Sequence, residues 1–138
     1  MKLYFLTLIC CLTLSLNAQV VKKFTRADTL RGTLTVERTW WDVQRYELAV
    51  APNFIAKTIS GSNEIAYKVV KANNGSIKMQ IDLQEPLVID SVLFNGKKRL
   101  AFEKKESIWL VKVPAQKLAE LNRVKIYYQG KVHQAIRA

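Results

Sequence analysis

Between Arg45 and Gly130 the chain repeats one pattern: polar and apolar residues alternate, a turn follows, and the alternation resumes. Successive strand residues point to opposite faces, so a period of two is the mark of a half-buried strand. In Arg45 to Val50, Tyr46, Leu48 and Val50 share one face, Arg45 and Glu47 the other, and Pro52-Asn53 ends the run. Thr58 to Val70 places Ile59, Ile65, Tyr67 and Val69 together, with Ser60, Ser62, Glu64 and Lys68 opposite. Ile77, Met79, Ile81 and Leu83 then form an inward face, and Lys78, Gln80 and Asp82 are expected on the solvent side. Asn74-Gly75 suits a turn with positive φ, so Thr58 to Leu83 reads as one long hairpin.

Pro86 breaks the pattern before Leu87 to Phe94, an evenly apolar strand expected to be covered on both faces. Asn95-Gly96 is a second tight turn, answered by Leu100 and Phe102. Lys105-Glu106-Ser107 turns into Ile108 to Val113, and Pro114 starts the one helical fragment expected, Ala115 to Leu121. Val124 to Tyr128 is the last strand. Many short strands, tight turns and almost no helix define an all-β chain: an antiparallel β-sandwich or saddle-shaped sheets with one short helical turn.

Three segments organise the chain. Residues 1–18 read as a signal peptide, with Lys2 as a thin positive end, an apolar run from Leu3 to Leu16, and Leu16-Asn17-Ala18 as the cleavage site. Residues 19–38, centred on Arg26-Ala27-Asp28-Thr29-Leu30-Arg31-Gly32, are polar and unpatterned, an irregular N-terminal arm until it meets a surface. Residues 39–138 are the β domain. Cys10 and Cys11 fall inside the leader, so the exported chain, periplasmic or extracellular, has no cysteine. The net charge of +11 is scattered over Lys22-Lys23, Lys97-Lys98-Arg99 and Lys104-Lys105, as expected for a solvated rim.

Catalytic chemistry has little to draw on. Catalytic zinc takes three protein ligands, commonly histidines and a carboxylate, and the chain has one histidine, His133, in a polar end where it reads as solvated. Nucleophilic catalysis lacks a base beside a hydroxyl or thiol. Asp82 with Glu85, and Glu103 with Glu106, are spaced as solvated faces of hairpins rather than as acid and base. Trp40-Trp41, with Tyr127-Tyr128, could form a sugar-stacking platform, but adjacent strand residues face opposite ways, so one tryptophan is expected in the core and the other under the arm or a neighbouring domain. Asn74-Gly75-Ser76 fits a glycosylation acceptor only formally. We therefore assign no catalytic, cofactor-binding or metal residue, and expect neither nucleic acid nor a membrane span.

The ordered set of strands resembles the amino-terminal β domain of the aminopeptidase N family of zinc peptidases, which includes leukotriene A4 hydrolase. Arg45-Tyr46-Glu47-Leu48 followed by Lys57-Thr58-Ile59-Ser60-Gly61-Ser62-Asn63-Glu64-Ile65 is similar to that domain's opening strand pair. Met79-Gln80-Ile81-Asp82-Leu83, Ile89-Asp90-Ser91-Val92 with Asn95-Gly96-Lys97, and Val124-Lys125-Ile126-Tyr127-Tyr128-Gln129-Gly130-Lys131 follow in the same order. The resemblance implies a non-catalytic domain that packs against a zinc peptidase domain, in cis or in trans, and meets peptide substrate only through it. That family's His-Glu-x-x-His and Gly-x-Met-Glu-Asn motifs do not map onto this chain, so zinc belongs to the full-length family and no cofactor to this segment. The abrupt end at Ala138 fits a domain incomplete at its C-terminus. The reading from another class is a free-standing secreted sandwich that binds glycan or peptide.

Overall fold

The computed structural model describes residues 24–72 and 77–133. The expected leader at 1–18 and the Asn74-Gly75-Ser76 turn lie outside the described residues. What is described is mostly β, two antiparallel sheets and one short helix, α1 (Arg26–Gly32). The strands are β1 (Trp41–Asn53), β2 (Thr58–Val69), β3 (Ile77–Ile81), β4 (Val88–Phe94), β5 (Lys98–Arg99), β6 (Phe102–Lys105), β7 (Ile108–Val113) and β8 (Leu121–Lys131). The larger sheet runs β1-β2-β8-β4-β5 and the smaller β3-β7-β6.

The sheets enclose one buried cluster. Ile65, Tyr67 and Val69 of β2, Val124 and Ile126 of β8, and Ile89 and Val92 of β4 meet Met79, Ile81, Trp109, Val111 and Val113 of the smaller sheet, with Trp40 and Leu100 between. Local chemistry sets the turns. Asn95 and Gly96 both take positive φ, 47° and 71°, as the expected tight turn requires, and Glu106 at φ 54° closes the two-residue link from β6 to β7. Gly61 is required by close approach: a Cβ there would sit 2.1 Å from the Ala49 carbonyl oxygen of β1.

Several sequence expectations are corrected by tertiary pairing. The long hairpin from Thr58 to Leu83 does not form, because β2 is flanked on both edges by β1 and β8 and β3 crosses to pair with β7. Ala115 to Leu121 is not helical: the Val69 N–H donates to the Glu120 carbonyl and the Ala119 N–H to the Val69 carbonyl, both at 2.9 Å, so pairing with the end of β2 replaces helical hydrogen bonds. In the described part of the arm, where it meets the smaller sheet, Arg26–Gly32 is helical. Thr25 caps α1, its hydroxyl accepting from the Asp28 N–H at 3.2 Å while the Asp28 carboxylate accepts from the Thr25 N–H at 2.9 Å.

β4 is not covered on both faces. A bulge between Ile89 and Ser91 turns both Ile89 and Val92 inward and leaves Val88 and Asp90 exposed, so an extra apolar residue in the run reflects the bulge. Gln80, expected in solvent, is only 3% exposed because the arm lies over it. Its amide donates to the Leu30 carbonyl at 3.2 Å, its side-chain oxygen accepts from the Thr35 hydroxyl at 3.2 Å, and its N–H donates to the Glu37 carbonyl at 3.2 Å. Leu110, opposite Gln80 in register, is buried too.

Candidate interaction face

The two layers differ in length, and that mismatch creates the candidate site. β1 and β2 have 13 and 12 residues, whereas β3 and β7 have 5 and 6. At roughly 3.3 Å per residue the long pair outruns its cover by about 20 Å. Direct cross-strand partners share a face, so the register Val43↔Tyr67, Tyr46↔Ile65, Leu48↔Asn63 and Val50↔Gly61 places the β1 stripe on the core-facing side of the larger sheet. Past Val43, however, nothing among the described residues covers it. Tyr46 is 59% exposed, Leu48 66% and Val50 49%, against the half-buried face the alternation predicted.

The stripe continues to the β1–β2 turn, where Phe54 and Ile55 are almost fully exposed beside an apolar hollow of about 370 Å³ lined by Pro52, Phe54, Ile59 and Val132. On the same face Asn63 Oδ1 is shielded from solvent with no hydrogen-bond partner. A run of large apolar side chains of this kind on an isolated surface marks an interaction site. The overhang therefore exposes a continuous apolar stripe, with the Asn63 oxygen enclosed beneath it.

The carboxylates singled out above are dispersed into ion pairs. Asp82 pairs with Arg38, Glu85 with Lys104, Glu103 with Lys78, and Glu106 with Arg26, the last at 2.8 Å. Hydrogen bonding from Lys104, Lys78 and Arg26 respectively, then their charge, holds Glu85, Glu103 and Glu106 below the usual glutamate value of 4.5. A general acid needs the opposite shift. His133 lines a cavity of about 460 Å³ with Arg31, Glu85, Glu106 and Ser107, under α1. Among the described residues no group of three metal-ligating side chains converges.

Trp40 and Trp41 form no open platform. Trp40 is 2% exposed, both rings meet Tyr67 edge-on with centroids 5.7 Å away, and both indole N–H groups donate to backbone carbonyls, Trp40 to Lys78 and Trp41 to Glu37. Trp40 sits on the bend before β1, so strand alternation does not separate it from Trp41. The expected separation onto opposite faces is not observed: Trp40 is in the core, and half-buried Trp41 packs against the same cluster while bonding to Glu37 of the arm. Tyr67 in turn is buried, which pushes its phenol up in pKa, and it donates to Gln116 at 2.9 Å.

The arm is held by polar links and α1 itself buries no residue. Glu106 ties it to the β6–β7 turn. Because the folded-state pKa of Glu106 lies below its ordinary value, this link contributes fully above about pH 4.5 and is lost as pH falls through the folded value. Amide exchange in α1, corrected for intrinsic rates, is expected to accelerate as pH falls below the ordinary glutamate value of 4.5, and to lose that pH step in Glu106→Gln. An unchanged step in the variant would show that another group holds the arm.

No protein-family model matches the sequence, and no curated protein matches it by sequence. Solved structures do match its fold, over the N-terminal fifth of M1 zinc metallopeptidases and leukotriene A4 hydrolase. An M1 zinc metallopeptidase from Deinococcus radiodurans aligns with 68% of this chain at 20% identity and TM-score 0.55. Leukotriene A4 hydrolase from Saccharomyces cerevisiae aligns with 78% at 18% identity and TM-score 0.53, and the yeast enzyme in complex with bestatin with 79% at 20% and 0.55. The chain spans 21%, 19% and 16% of those proteins' lengths. The matched part lies outside their catalytic domain.

Proposed function

We propose that this chain serves as the non-catalytic N-terminal domain of an exported, aminopeptidase N-like zinc metallopeptidase, packing against a peptidase domain and walling one side of its substrate cavity. The observation that carries the reading is the uncovered β1 stripe, Tyr46, Leu48 and Val50, on a fold that resembles the N-terminal part of such enzymes. Apolar side chains aligned with a core, yet left in water, are what remains when a covering layer belongs to another domain. Against a glycan-binding reading stand the burial of Trp40 and the packing of half-buried Trp41 on the core.

A photo-crosslinking residue at position 48, in the cells that make the chain, is expected to capture a protein carrying His-Glu-x-x-His. Capture of proteins without that motif, or of none, would overturn the reading. The purified chain alone is expected to hold no stoichiometric zinc and to leave aminoacyl-p-nitroanilides intact. One tightly held zinc per chain, or hydrolysis above a mock preparation, would contradict the non-catalytic assignment.

A further inference from the structure

We infer that β1 is also a self-recognition edge, and that two copies of this chain pair antiparallel through it about a two-fold axis at Tyr46, with Arg45 of each copy opposite Glu47 of the other. β1 is the outer strand of the larger sheet, so among the described residues one row of its N–H and C=O groups has no strand beside it. Natural edge strands are usually guarded by lysine, proline, bulges or short length. β1 is 13 residues long and contains no lysine; its bulge lies between Val43 and Arg45 and its one proline is Pro52. Arg45 to Ala51 is an open template for strand addition.

Charge selects the register. Arg45 and Glu47 stand on the outer face, exposed and ion-paired to each other. An axis at Glu47 would oppose two glutamates. An axis at Leu48 would oppose Glu47 to Ala49 and set the two glutamates on the diagonal. Only an axis at Tyr46 opposes Arg45 to Glu47 twice, joining the two ion pairs into a four-charge cluster. On the inner face the same axis brings the two exposed Tyr46 rings together, each with Leu48 of the other copy on its diagonal. The interface is isologous and closed, which yields a dimer and stops there. Along this edge the alternation of charge is complementary to a second copy of the chain itself.

Charge reversal tests this with the whole chain, since both side chains are exposed and their replacement leaves the core untouched. Sedimentation velocity is expected to show a wild-type dimer at micromolar concentration. E47R places arginines opposite arginines, R45E places glutamates opposite glutamates, and each alone is expected to weaken the dimer about tenfold or more. An equal mixture of the two variants restores every opposite pair and is expected to give a heterodimer, as is the homodimer of R45E/E47R. Monomeric wild-type protein would overturn the inference and leave the face to a different protein. So would single variants that associate as wild type does, because apolar exposure alone would then explain association. Because the axis sets Leu48 diagonal to Tyr46 of the other copy, a crosslink from position 48 to a second copy of this chain reports the dimer and is not counted against the peptidase reading: a charge-dependent dimer with no captured protein carrying His-Glu-x-x-His would sink only that reading, and such a capture with a monomeric chain only this one.

Discussion

Trp40→Ala is expected to lower stability by about 3–5 kcal/mol, the largest effect of any single truncation outside the strands. The indole is 2% exposed, lies edge-on to Tyr67 and donates to the Lys78 carbonyl of the smaller sheet at 3.1 Å. Its own carbonyl accepts from the N–H groups of Val70 and Lys71 at 2.9 and 3.1 Å. Removing the ring opens a cavity between the two sheets and strands the Lys78 carbonyl. Trp41→Ala, on a half-buried ring, is expected to cost less. Urea midpoints measured side by side decide it: equal midpoints for the two variants, or a loss under about 1 kcal/mol for Trp40→Ala, would mean the indole does not join the layers.

In β3, Ile81→Ala is expected to cost about 2–5 kcal/mol and its neighbour Gln80→Ala about 1–3 kcal/mol, although the two face opposite ways. Ile81 is 8% exposed and belongs to the core. Gln80 holds the arm by two side-chain hydrogen bonds, to Leu30 and Thr35, with a third to Asp82 beyond β3, and truncation leaves the Leu30 carbonyl and the Thr35 hydroxyl without that partner. The two losses have different signatures. Gln80→Ala should speed amide exchange in α1 before the rest of the chain unfolds, whereas Ile81→Ala should lower protection throughout. A Gln80→Ala loss within about 0.5 kcal/mol, as for an ordinary surface glutamine, would show that the arm is not seated there.

How far the sequence can be read depends on whether a signal is local. The alternation of Ile77, Met79 and Ile81 told which face of β3 is buried, because side-chain direction in a strand follows from the pleat alone. Asn95-Gly96 announced its turn because few residues tolerate two successive positive φ values. α1 also had a local mark, Thr25 three residues before Asp28, overlooked in a stretch otherwise without period. The fate of Gln80 had none. A polar residue between apolar ones reads as solvent-facing whether water or the arm lies over it.

The interaction face was legible only in part. Tyr46, Leu48 and Val50 were recognisable as one stripe, yet period cannot say whether a stripe is covered by its own domain. The difference in strand length between the layers decides it, 13 residues in β1 against 6 in β7. Asn63, with its unsatisfied oxygen, looked like any polar residue of a strand.

By itself the sequence determined most strand positions, the inward faces of β2 and β3, the tight turn at Asn95-Gly96 and the all-β class, because each rests on interactions within a few residues. Tertiary structure decided which strands pair, that β2 and β3 part into separate sheets, that Ala115 to Leu121 gives up helix for bonds to β2, and that β1 ends as an exposed edge. The reason is that backbone hydrogen-bonding groups are the same in every strand. A strand's sequence specifies the side chains it must hide, whereas its neighbours follow from how all the strands together bury the most apolar surface with the fewest unpaired groups.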